Sequence, residues 1–76
     1  MNQIIKKAQN IVCLAPKTRL QMAEEFEMID VRQLIAAFKR HKLDIPSGNI
    51  MPKHQKMIYD ALGYPTSIKK EWYADV

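Results

Sequence analysis

Residues 18–41, TRLQMAEEFEMIDVRQLIAAFKRH, decide the fold. Thr18-Arg19-Leu20-Gln21 sets a hydroxyl three residues ahead of a glutamine, and Asp30-Val31-Arg32-Gln33 repeats the arrangement with a carboxylate. Each reads as a capping box, in which the first side chain accepts the orphan backbone N–H groups of a starting helix and the glutamine reaches back. The spacing predicts one helix over residues 19–26 and another over 31–42, joined through Glu27-Met28-Ile29. In the first, Leu20, Met22, Ala23 and Phe26 are the apolar positions. In the second, at 100° per residue, Val31, Leu34, Ile35 and Phe38 share an arc of about 100°. Arg32, Gln33, Ala36, Lys39 and Arg40 share a separate arc, so this helix has a core face and a basic face.

Upstream, Ile4, Ile5, Ala8, Ile11 and Val12 recur at three- and four-residue spacings, which predicts a helix over residues 3–14 that Pro16 closes. Downstream, residues 43–50 hold the densest turn signals and read as a structured loop, with an alternating apolar flank suited to extended chain. Pro52 and Gly63 then bracket a helix over residues 53–62, with Met57, Ile58, Ala61 and Leu62 inward. Thr66 and Ser67 are expected to cap a last turn or two that packs Ile68, Trp72 and Tyr73 against the body, before a frayed end. The expected fold is all-α, a compact bundle of four to five short helices in a single domain over residues 1–76.

Composition narrows the class. A chain of 76 residues has room for one modest core, and 47% apolar with 26% charged residues is a globular composition. Cys13 has no intrachain partner, and with His41 and His54 it shows no zinc spacing, so neither a metal nor another cofactor is expected. The histidines suit helix ends, where the dipole favours them. Cys13, Met22, Met28, Met51 and Met57 read as core filler, and Trp72 and Tyr73 as the lid of the core. No segment approaches the roughly 20 apolar residues that span a bilayer, and residues 11–16 are too short an apolar run for a signal peptide. A cytoplasmic protein without a membrane partner is therefore expected. No nucleophile with a base, carboxylate pair or glycine-rich phosphate loop is visible, so an enzyme is not expected.

Two short helices joined by about four residues, the second with a basic outer face, is how a helix-turn-helix presents side chains to the major groove. Residues 18–41 resemble the helix-turn-helix segments of small bacterial and phage DNA-binding proteins of the excisionase, transposase and homeodomain-like groups. Thr18, Ala23, Phe26, Leu34, Phe38, Lys39 and Arg40 carry the likeness, which covers about a third of the chain. It implies that the helix from Val31 is a recognition helix braced by residues 46–52. Two departures stand out: the glycine usual four residues after the alanine is replaced by Glu27, and the turn is one residue longer. A non-glycine residue takes positive φ only at a cost, so the turn is expected to depart from that geometry.

The formal charge of +4 suits a polyanionic partner. The expected function is double-stranded DNA binding, as a small transcriptional regulator or mobile-element accessory factor, with a homodimer or protein partner supplying further surface. Arg32 and Gln33 have the chemistry for guanine and adenine edges, while Lys39 and Arg40 suit phosphates and Ala36 lies on the same face. Lys17 and Arg19, with Lys6 and Lys7, extend the basic footprint at one end, and Lys53, Lys56, Lys69 and Lys70 at the other; the alternative is scattered solubilising charge. Against DNA stands the acidic cluster of Glu24, Glu25, Glu27 and Asp30, which would repel phosphates if it faced them. The alternative function is a protein-binding adaptor or inhibitor, of the kind phages encode, presenting Trp72, Tyr73 and exposed methionines. A contiguous exposed apolar patch would be its mark.

Overall fold

The computed structural model describes residues 14–76 of the chain. In order these form helix α1 (Arg19–Glu25), helix α2 (Val31–Arg40), helix α3 (Pro52–Leu62) and a 3-10 turn (Lys70–Tyr73). The expected four to five helices are thus, among the described residues, three α-helices and one 3-10 turn. The helix expected over residues 3–14 lies outside the described residues except for Leu14, as do Cys13, Lys6 and Lys7. The final turn starts after Lys69, which makes no side-chain cap, rather than at Thr66 and Ser67.

Both caps form. Thr18 accepts from the Gln21 N–H while Gln21 accepts from the Thr18 N–H, a reciprocal capping box. Asp30 accepts from the N–H groups of Arg32 and Gln33. Gln33 reaches one residue further back than the motif requires, to the Ile29 N–H at 2.9 Å. The two helices also end alike. Met28 donates to the Ala23 carbonyl and Glu27 to Glu24; Leu43 donates to Phe38 and Lys42 to Lys39. These are Schellman closures, which need a left-handed residue just past the helix. Glu27 (φ 57°) and Lys42 (φ 56°) fill that role without being glycine.

The core is Met22 and Ala23 of α1, Leu34 and Phe38 of α2, Ile58 and Tyr59 of α3, with Ile50 and Tyr73. The loop over residues 43–50 ends in a single antiparallel bridge: Lys17 donates to the Ile50 carbonyl at 3.0 Å and Ile50 to that of Lys17 at 2.6 Å. That pairing puts Ile50 at the centre of the core, so the extended flank expected here is realised at one residue pair. Tyr59 sits amid Phe26, Tyr64 and Tyr73, whose ring centroids lie 5.8, 5.2 and 5.3 Å from its own, within the range of favourable aromatic pairs.

Four apolar residues expected inside are exposed: Leu20, Ile35, Met51 and Met57. The reason is the width of the buried stripe. On α2 the inward set is Leu34, Ala37 and Phe38, the i, i+3, i+4 pattern, which leaves Ile35 on the flank. On α3 it is Gln55, Ile58 and Tyr59, which turns Met57 aside. Met51 is the N-cap of α3 and points to solvent; Leu20 lies off the Met22–Ala23 stripe of α1. Among the described residues no helix is long and apolar enough to cross a membrane.

Candidate functional site

The turn between α1 and α2 carries the geometry of interest. Four residues past Ala23, where the family resemblance places a glycine, Glu27 takes the left-handed conformation that glycine would adopt. The turn remains one residue longer, and Asp30 then starts α2. Glutamate thus takes the positive φ at this position despite having a Cβ. The Schellman hydrogen bonds hold Glu27 there and offset a left-handed cost of about 1 kcal/mol.

On α2, Arg32, Gln33, Ala36, Lys39 and Arg40 are all exposed on the side away from Leu34, Ala37 and Phe38. Arg32 is the one of them that makes an ion pair. Its guanidinium donates to Asp30 Oδ2 through Nη2 at 3.0 Å and Nε at 3.3 Å, with its side chain 91% exposed. Gln33 turns its carbonyl toward Ile29, whose N–H takes one of the oxygen's two lone pairs. Lys39 and Arg40 lie in the last turn, where cations also complement the helix dipole.

Lys17 and Arg19 are placed elsewhere. Lys17 turns inward, donating to Glu25 Oε2 at 2.7 Å and to the Tyr59 hydroxyl at 2.9 Å, with only 13% of its side chain exposed. At 5.4 Å from the ring centroid, its ammonium lies off the hydroxyl end of Tyr59 rather than over the face, so the contact is a hydrogen bond and not a cation–π pair. Tyr59 in turn donates to Glu25 Oε1. Burial, reinforced by the Glu25 carboxylate, pushes the Tyr59 hydroxyl far above the ordinary tyrosine range. Arg19 donates to the carbonyls of Gly48 and Pro46 at 2.6 and 2.7 Å, tying the 43–50 loop to the start of α1. Both cations serve the fold, which separates them from the α2 face.

The acidic cluster is divided by the same contacts. Glu25 is matched by Lys17 and Asp30 by Arg32, leaving Glu24 and Glu27 as its exposed members. Tyr73, expected as a lid and a possible anchor for a partner, is buried, and its hydroxyl donates to Gln55 Oε1 at 2.5 Å. Gln55 is itself fully buried and donates to the carbonyls of Ala15 and Ile50. Sequence reasoning missed Gln55, although its i, i+3, i+4 spacing with Ile58 and Tyr59 put it on the inward stripe. Lys56, assigned to a basic footprint, donates to the Val76 carbonyl at 2.9 Å. Compared with protein-family models, with curated proteins and with solved structures, the chain has no match.

Proposed function

We propose that the protein binds double-stranded DNA through α2, as a small transcriptional regulator or mobile-element accessory factor. The observation that carries the reading is one exposed helix face, presenting Arg32, Ala36, Lys39 and Arg40 beyond a turn closed by left-handed Glu27. Base-contacting residues of a recognition helix cluster at its N-terminal end, which gives Arg32 that role; Lys39 and Arg40, two turns on, suit phosphates. The small residue Ala36 between them lets the helix axis approach base edges closely. Neutralisation of Glu25 and Asp30 within the fold removes part of the repulsion that the sequence foreshadows. One helix offers little surface, so specific binding calls for a homodimer or a second DNA-binding partner.

Fluorescence anisotropy on random duplex DNA at two salt concentrations tests the reading. Native protein is expected to bind and to weaken steeply as salt rises, because each neutralised phosphate releases counterions. The Arg32→Ala/Lys39→Ala/Arg40→Ala variant should fold and lose most of that affinity. An absence of binding at low salt would refute DNA as the partner and favour the adaptor reading, for which Ile29, 87% exposed in the turn, is the leading apolar contact.

A further inference from the structure

We infer that α2 reads a guanine, through Arg32 held in place by Asp30. The inference rests on α2 entering the major groove by its N-terminal end. A single carboxylate does two jobs here. Asp30 Oδ1 caps the helix by accepting the Arg32 N–H at 2.9 Å, and Oδ2 takes the same residue's guanidinium through Nη2 and Nε. That uses one edge of the guanidinium. The remaining edge, Nη1 with the second hydrogen of Nη2, faces solvent, and it is the edge whose paired donors match O6 and N7 of guanine.

Charge distinguishes a base contact from a phosphate contact. Asp30 and Arg32 together are neutral, and a neutral pair gains little from the phosphate backbone, whose attraction scales with the cations that displace counterions. Lys39 and Arg40 carry no ion pair among the described residues and are suited to that task. What Asp30 adds to Arg32 is orientation: a long side chain fixed before binding loses less rotamer freedom on meeting its base. Gln33, the other base-reading chemistry on this helix, uses one of its carbonyl's two lone pairs on the Ile29 N–H, whereas Arg32 keeps a whole edge of paired donors. Arg32 is therefore the specificity-determining residue, and Asp30 the positioning residue behind it.

The test selects duplexes from a random library with the native protein, then measures anisotropy on the selected duplex and on copies carrying 7-deazaguanine, which lacks the N7 acceptor, at each guanine in turn. Native protein should lose affinity by up to about tenfold at one guanine, because the change removes one of the two acceptors of the bidentate contact. Arg32→Ala should bind both duplexes equally, and Arg32→Lys should lose most of the preference. Asp30→Ser keeps a capping oxygen, so its helix content by circular dichroism should hold while its preference for guanine falls. If native protein binds duplexes with the expected salt dependence but no guanine matters, or Arg32→Ala discriminates as native does, the guanine inference fails and DNA binding stands. If Asp30→Ser discriminates like native protein, the positioning role is overturned. No binding to any duplex would overturn the inference and the DNA reading together.

Discussion

Lys17 and Arg19 differ in character from Arg32, Lys39 and Arg40, although all five are basic residues next to a helix start or on a helix. The first pair spends its charge inside the molecule. Lys17 bridges the Glu25 carboxylate and the Tyr59 hydroxyl, and Arg19 holds two carbonyls of the loop that feeds Ile50 into the core. The second group lies on a face whose opposite side is fully packed by Leu34, Ala37 and Phe38. Lys17 and Arg19 each reach an acceptor brought near by the fold from a distant part of the chain, whereas Arg32, Lys39 and Arg40 make no such long-range bond among the described residues and stay on an exposed face.

The sharpest way to break this contrast is to remove one cation from each group. Lys17→Ala should cost about 2 kcal/mol in urea unfolding, because it takes the cation from a Glu25 carboxylate in a poorly solvated site and leaves it only the Tyr59 hydroxyl as a partner. Lys39→Ala should change stability by less than about 0.5 kcal/mol. Equal effects would erase the distinction.

The inner network also has a pH signature. In the unfolded chain Tyr59 and Tyr64 ionise near pH 10; in the fold Tyr59 keeps its proton far above that, and burial with help from Asp60 pushes Tyr64 up to about 12. The unfolded state then binds fewer protons, so stability falls as pH rises above 10, at up to about 1.4 kcal/mol per pH unit from the buried Tyr59 and by less from the more solvated Tyr64. Tyr59→Phe should flatten that slope in chemical denaturation at pH 9 to 11, whereas Arg40→Ala should leave it unchanged.

Arg19→Met tests the loop tie. Its hydrogen bonds are partly solvated, so a loss of about 1 kcal/mol is expected, with faster amide exchange at Ile50, whose N–H closes the bridge to Lys17. The smallest effect lies at the helix ends. Glu27→Gly and Lys42→Gly relieve left-handed strain and should each stabilise by about 0.5 kcal/mol, seen as a higher Tm. At Glu27 the change also removes an acidic group beside α2, so salt-dependent DNA binding should strengthen slightly.

Much of the helical framework is legible in local sequence because its signals act over three or four residues. Thr18 with Gln21, Asp30 with Gln33, and Pro52 with Gly63 mark helix ends within two residues of where they fall, since caps satisfy backbone groups of the same segment. The outer face of α2 follows from helical periodicity alone. Periodicity is less able to say how wide the buried stripe is, and Ile35, Met51 and Met57 fall outside it because Ala37 and Gln55 occupy inward positions instead.

The sequence by itself determined where helices α1, α2 and α3 begin and which side of α2 carries its cations, since both depend on neighbours within a turn or so of chain. Only the tertiary structure decided which basic residues remain outside. Lys17 meets Tyr59, 42 residues away, Arg19 meets Gly48, 29 residues away, and Gln55 meets Ala15, 40 residues away. Such pairings follow from how the packed helices bring distant segments together, and for Lys17 with Tyr59 and Gln55 with Ala15 partial burial strengthens the bond.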